Sequence, residues 1–218
     1  MPIASPTIVP MLDAYAPAEV AIRVRDGGVG KATASATALV ALAVLAGAFI
    51  ALGGLFYTVT ITAGPNPSGH FGLTRLTGGV AFSLGLILVV VGGAELFTGN
   101  NLMAMAWASG RVTSVQVLRN WGLVYLGNLA GAIGTVVLVL LAGIPQLGDG
   151  AVGETMIRIA REKVTLDPLS ALARGVLCNV LVCLAVWLCM AARSVADKIL
   201  AIVFPISAFV ACGFEHSV

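Results

Sequence analysis

Five long apolar segments constrain the fold of this chain more than any other feature of its sequence. A helix that crosses a bilayer needs about 20 consecutive apolar residues, and continuous runs of this length differ from the alternating ten-residue segments of membrane strands. Charged residues make up only 10% of the chain, against about 25% in a soluble domain. The pattern predicts an all-α integral membrane protein, with segments at roughly 34–62, 72–108, 117–143, 168–192 and 199 onward.

The two ends of the chain differ in polarity. Residues 1–33 are of mixed polarity and are predicted to form an N-terminal arm, and residues 34–218 a transmembrane channel domain. The last apolar segment runs to Val218 without a polar tail. Because a helix that stops inside a bilayer leaves carbonyl groups unsatisfied, we expect the channel domain to be truncated at its C-terminus.

Basic residues in short loops indicate the orientation, since cytoplasmic loops carry an excess of Lys and Arg. Seven basic residues fall on the side of the N-terminal arm, against Arg75 and four more around the long third connection on the other. The sequence therefore predicts a multi-pass protein of the inner membrane with a cytoplasmic N-terminus. The seven residues are Arg23, Arg25, Lys31, Arg111, Arg119, Arg193 and Lys198.

Two apolar segments are interrupted by similar polar stretches. The second contains GGAELFTGN at 92–100, and the fifth contains CGFEHS at 212–217. Irregular backbone at membrane depth is tolerated where it lines a cavity or is buried in protein. Two interrupted helices at corresponding places predict a site near the bilayer midplane between inverted structural repeats.

Four polar side chains in these stretches are candidates for function. Glu95 and Glu215 either accept hydrogen bonds from free backbone N–H groups at the breaks or contact the substrate. His216 is favoured as functional, because an imidazole with a reference pKa near 6.5 changes charge around neutral pH. Thr98 offers a hydroxyl group beside Gly99, although a threonine in a membrane helix often bonds its own backbone.

Other chemistries find little support in the sequence. The four cysteines show no CxxC spacing, which is the spacing typical of metal or redox sites. No basic run indicates nucleic acid, and no ligand cluster or nucleophile pair indicates an enzyme. We expect no metal, no cofactor and no catalytic residue.

Three stretches resemble the signatures of the formate–nitrite transporter family. They are GGAELFTGN at 92–100, GVLCNVLVCLA at 175–185 and GFEHS at 213–217, and the resemblance extends from about residue 10 to the end. It implies an aquaporin-like bundle of six helices, with the second and fifth broken, and a homopentamer with one pore per protomer. The sixth helix is missing from this sequence.

The resemblance also implies roles for individual residues. His216 and Thr98 match a histidine and a threonine that face the pore between two apolar constrictions. Asn179 matches a pore asparagine and Lys163 a vestibule lysine, and Glu95 stands where some members have aspartate. The constriction positions correspond to Phe82, Leu86, Leu96, Phe97 and Phe209.

The predicted function is transport of a small monovalent weak-acid anion, most simply formate, as the neutral acid or with a proton. In this mechanism Lys163 draws in the anion, Thr98 holds it and His216 lends it a proton. A rival has bulk protons neutralise the anion, with His216 tuning the field. Nitrite or hydrosulfide through the same pore, an aquaporin-like channel for a neutral solute, and a membrane-embedded enzyme or redox subunit are the alternatives.

Overall fold

A computed structural model describes residues 13–62 and 70–217 of the chain. Residues 1–12 of the predicted arm and the terminal Val218 lie outside this part. Short 3₁₀ turns at Asn101–Met103 and Ile144–Gln146 join some of the helices. In chain order, the described residues form α1 Pro17–Thr33, α2 Ala36–Ile61, α3 Phe71–Gly92, α4 Phe97–Asn100, α5 Ala104–Ala108, α6 Ser114–Leu141, α7 Ala151–Val164, α8 Pro168–Ala191 and α9 Val195–Ala211.

Four of these helices, α2, α3, α6 and α8, are long and apolar enough to cross a membrane. Large apolar side chains cover their outer faces, and Leu126 and Leu138 are 63% and 67% exposed. Exposure of this extent suits a surface that faces lipid or another protein rather than water. The prediction of an all-α, multi-pass membrane protein is confirmed.

Both predicted breaks follow the same helix-ending turn. Gly93, after α3, has a left-handed φ of 74°, and Ala94 N donates to Val89 O at 2.9 Å. After α9, Gly213 has the same φ of 74°, and Phe214 N donates to Phe209 O at 3.0 Å. Glycine adopts this conformation without the penalty that a Cβ brings. The helices α3 and α9, one in each half of the bundle, therefore end in equivalent turns.

Glycines allow α2 and α6 to pack with their backbones almost in contact. A Cβ placed on Gly131 would overlap the carbonyl oxygen of Val44, and one on Gly47 would overlap that of Asn128. A Cβ on Gly127 would meet the Ala43 side chain. The close approach that the small residues of the third apolar segment predicted is therefore present, and it holds α6 against the first break.

The helix α1 of the predicted arm packs against the short helices after the first break. Its Gly28 lies over Ala106 and Met103, where a Cβ would come within 3.0 Å of the Ala106 side chain. Tyr15, just before α1, lies between the guanidinium groups of Arg23 and Arg193, at 4.1 and 3.9 Å from its ring centre. Tyr15 and α1 are thus anchored to the bundle.

Candidate functional site

The two breaks bring Thr98 and His216 together. Thr98 lies in the first turn of α4 and is 1% exposed, and His216 lies five residues beyond the end of α9. The Thr98 Oγ1 and His216 Nε2 atoms are 3.4 Å apart, within hydrogen-bonding distance. The two residues predicted to face the pore are therefore neighbours, although 118 positions separate them in sequence.

Two aromatic rings pack beside the imidazole. The Phe209 ring stacks on His216 at 6.0 Å between centres, and the Phe82 ring lies at 6.4 Å. Phe82 and Phe209 meet edge to face at 5.5 Å. The two rings give one side of the imidazole apolar neighbours, and their role as a constriction stays a prediction.

His216 lies on the wall of two separate cavities. The first, which we call the cationic cavity, has a volume of about 780 Å³ and is lined by Arg75, Lys163 and Arg174 together with Phe82 and Phe209. The second, the α4–α8 cavity, has a volume of about 720 Å³ and includes Phe97, Asn179 and Cys183 in its wall. Besides His216, only Glu215 among the described residues lines both cavities.

Three of the five predicted constriction residues line a cavity, and the other two do not. Phe82 and Phe209 line the cationic cavity, and Phe97 lines the α4–α8 cavity. Phe97 also packs edge-on against Tyr125 at 5.2 Å. Leu86 and Leu96 are each 2% exposed in the core and line neither cavity. A constriction formed by the two leucines stays a prediction.

The Glu95 carboxylate is held by two side-chain donors. Lys31 Nζ of α1 donates to one oxygen at 2.7 Å, and Asn100 Nδ2 donates to the other at 2.7 Å. The side chain is only 12% exposed and lines neither cavity. This geometry matches the scaffold interpretation of Glu95, with side-chain donors in place of the backbone N–H groups that we expected.

Three buried asparagines complete the hydrogen bonding at the first break. Asn128 accepts from Phe97 N at 2.9 Å and donates to Ala43 O and Glu95 O at 2.8 and 2.9 Å. Asn120 accepts from Asn100 at 2.8 Å and donates to Lys31 O at 3.1 Å. Asn128 thus satisfies two backbone groups that the break leaves without helix partners, and the other amide bonds tie the break to α1 and α2.

The second break has its own lysine–glutamate pair. Lys163 at the end of α7 donates to Glu215, and their side chains are 51% and 23% exposed. Lys163 lines the cationic cavity, and Glu215 lines both cavities. Each break thus carries Gly-x-Glu, with the glutamate paired to a lysine on a helix that precedes the membrane spans of that half.

Asn179 on α8 faces the α4–α8 cavity with an unsatisfied acceptor. Its Oδ1 atom is buried and has no hydrogen-bond partner among the described residues. Its Nδ2 lies 3.7 Å from Cys183 Sγ, which in turn lies 3.5 Å from Thr98 O. A buried polar atom of this kind calls for a partner, and none of the described residues supplies one.

In the part of the chain that the structure describes, no group of three or more His, Cys, Asp or Glu side chains is placed to hold an ion.

Sequence reasoning missed several residues of the site. Asn120 and Asn128 lie inside the predicted third segment. Glu95, in the second segment, was singled out because a polar group is costly inside a membrane, and the same argument would have found the two asparagines. Lys31 could not be found in this way, because it is 64 positions from Glu95 and lies on the arm. Arg75 and Arg174 were seen only as loop charges.

Apolar helices that end in glycine turns, with the residues after the turns meeting at a polar pair, indicate a membrane channel or transporter. Comparison with known proteins identifies the family. The profile described as formate/nitrite transporter matches residues 18–218, and the chain belongs to this family.

Individual relatives agree with this assignment. The chain is 44% identical over 207 residues to the formate channel FocA of Escherichia coli (strain K12), covering 94% of this chain and 72% of the relative. A solved pentameric formate channel with formate bound is 43% identical, with a TM-score of 0.76 over 83% of this chain and 70% of that one. A solved FNT family ion channel is 26% identical, with a TM-score of 0.80 over 91% and 78%. The resemblance and the fold class drawn from the sequence are confirmed.

Proposed function

We propose that the chain forms the pore of a homopentameric channel that carries formate across the cell inner membrane, with its N-terminus in the cytoplasm. The observation that carries the proposal is His216, which lies on the walls of both cavities, with the buried Thr98 hydroxyl group 3.4 Å from its ring. The relatives add support, since FocA is named a formate channel and the solved pentamer holds formate.

The apolar surroundings of His216 favour passage as the neutral acid. An isolated carboxylate moved into an apolar medium costs on the order of tens of kcal/mol on a Born estimate. Protonating a carboxylate with a reference pKa near 3.9 at neutral pH costs about 4 kcal/mol. Because Phe82 and Phe209 border the imidazole, the protonated route is much the cheaper one.

The sequence of events follows the two cavities. The anion enters the cationic cavity and reaches the rings of Phe82 and Phe209. Protonated His216 then gives its proton to a formate oxygen, and the Thr98 hydroxyl group can donate to the other oxygen. Neutral formic acid moves into the α4–α8 cavity, where the Asn179 amide, once its unpartnered oxygen turns toward the cavity, can accept its O–H. The acid ionises after its release on the far side, and the imidazole regains a proton from water on the side from which formate entered, so one proton crosses with each formate.

Competition between anions tests the substrate. Purified protein in liposomes is expected to take up labelled formate, and unlabelled nitrite and hydrosulfide should compete less well than unlabelled formate. Stronger competition by nitrite or hydrosulfide would reassign the substrate within the same pore. Rapid swelling with glycerol and no formate uptake would instead favour a channel for neutral solutes.

Substitution of the imidazole tests its role in proton transfer. We expect formate flux through His216→Asn and His216→Phe to fall at least tenfold at pH 7, and its dependence on pH between 5 and 8 to flatten. Flux is measured in liposomes that contain equal amounts of pentamer. If both variants keep the pH dependence of the unaltered protein, the proton comes from bulk water and His216 only tunes the local field.

A further inference from the structure

The charges of the cationic cavity are unequally paired. Glu215 accepts from Lys163, and Glu162 pairs with Arg158 at 3.2 Å. Within residues 13–62 and 70–217, neither Arg75 nor Arg174 forms an ion pair with a carboxylate. The cavity therefore offers an incoming anion two guanidinium groups without a carboxylate partner, whereas the ammonium of Lys163 already faces one.

We propose that Arg75 and Arg174 form the site that captures the substrate anion, and that Lys163 instead neutralises Glu215 in an ion pair. This proposal rests on the transport function given above and names the residues at its entrance. The ligand is a small planar monovalent oxyanion, a class that includes both formate and nitrite.

Both guanidinium groups flank the turn that leads to His216. The Arg75 Nε donates to Ala211 O at 3.1 Å, and Arg174 Nη1 lies 3.4 Å from Gly213 O. The terminal Nη2 of Arg75 lies directly over Gly213, where a Cβ would come within 2.9 Å of it. A side chain at position 213 would crowd that nitrogen, so the glycine keeps it accessible.

The donors that remain on Arg75 suit a carboxylate. Its hydrogen bond to Ala211 uses Nε, and among the described residues no acceptor is bonded to its two terminal amino groups. A guanidinium presents such groups in a fixed planar fork, which matches two oxygens of one anion better than an ammonium does. Hydrosulfide has a single heavy atom, so it gains the charge attraction but cannot place two acceptor atoms on the fork.

Concentration-dependent uptake tests the capture site. We expect Arg75→Gln and Arg174→Gln each to raise the half-saturating concentration of labelled formate by about fivefold, as the loss of one partly screened charge predicts. The maximal rate at saturating formate should stay within about twofold, because neither residue reaches the proton-transfer step. Arg75→Lys, which keeps the charge and loses the fork, should recover part of the shift for formate and nitrite and nearly all of it for hydrosulfide.

A matched control is available on α7. Arg161→Gln removes the same charge two positions from Lys163, from an exposed side chain that does not line the cationic cavity. Its half-saturating concentration should remain that of the unaltered protein. Arg174→Gln is expected to leave the fold intact, since the exposed Arg174 makes only a long hydrogen bond. It therefore tests the capture site even if Arg75→Gln misfolds.

The outcomes separate this proposal from the function on which it rests. Absence of both formate and nitrite uptake by the unaltered protein would overturn the transport function together with the capture site. Normal uptake with half-saturating concentrations in Arg75→Gln and Arg174→Gln equal to that of Arg161→Gln would overturn the capture site alone. A fall in maximal rate without a shift in half-saturating concentration would also overturn it, because that is the effect of a disturbed turn.

Discussion

At the scale of single residues, buried amide side chains replace the backbone hydrogen bonds that the first helix break removes. Asn128 bonds the backbone at Phe97, Ala43 and Glu95, and it is fully buried. The position of Thr98, one residue after Phe97, depends on these bonds. The asparagine thus acts on the pore without lining either cavity.

Removal of this amide should be severe. We expect Asn128→Ala to lower the free energy of unfolding by about 3 kcal/mol, because it leaves buried backbone donors and acceptors without partners. Thermal unfolding of the detergent-solubilised protein measures the loss. Asn101→Ala is the control, since the Asn101 side chain makes no hydrogen bond within the described ranges. Equal effects of the two substitutions would contradict the role given to Asn128.

The Lys31–Glu95 pair is open to a double-mutant cycle. Lys31→Met leaves a carboxylate that is only 12% exposed without its cation, and the single change should destabilise the protein more than Lys31→Met with Glu95→Gln. We expect a coupling of about 1–3 kcal/mol between the two positions. Independent, additive effects in the same unfolding measurement would show that the 2.7 Å contact contributes no stability.

At the scale of elements, the seam between α2 and α6 fixes where the first break lies. Asn128 and Gly131 are on the same helix, so any displacement of α6 from α2 also moves the amide that holds Phe97. The packing of α6 against α2 therefore also determines the geometry of the site.

Two glycines on α6 offer a matched test of the seam. A Cβ on Gly131 would overlap a backbone carbonyl of α2, whereas a Cβ on Gly134 would meet nothing within 4 Å. We expect Gly131→Ala to destabilise the protein by about 2 kcal/mol or more, since backbone must move. Gly134→Ala should be neutral or slightly stabilising, as alanine is the better helix former. Unfolding temperatures that fall equally in both variants would refute the close contact.

The elements also show what the sequence could and could not predict. The interrupted stretch 92–100 could be recognised because glycines and a carboxylate are costly inside a long apolar run, and the structure ends α3 at Gly92. The division of the following residues into α4, a 3₁₀ turn and α5 could not, because it depends on contacts with α1 and α6. The fifth segment was expected from residue 199, whereas α9 begins at Val195, where Ser194 caps it by accepting from Asp197 N.

At the scale of the whole molecule, the proposed mechanism makes transport electrically neutral. A bare anion gains or loses about 2.3 kcal/mol for each 100 mV that it crosses, which changes its flux by about 50-fold. An acid that crosses with its proton carries no net charge, so we expect formate flux to vary by less than about twofold over the same range. Liposomes clamped with potassium and valinomycin provide the measurement, and a steep voltage dependence would show that the anion crosses without a proton.

The two halves share a left-handed glycine, a glutamate and a lysine, yet they differ at the next position. Leu96 follows Glu95 in one half, and His216 follows Glu215 in the other. Because only one of the two breaks carries an imidazole, a solute that enters from one end meets different side chains from a solute that enters from the other. The two ends of the channel therefore differ, and in vesicles in which every channel faces the same way the rates of filling and emptying under equal and opposite gradients should differ.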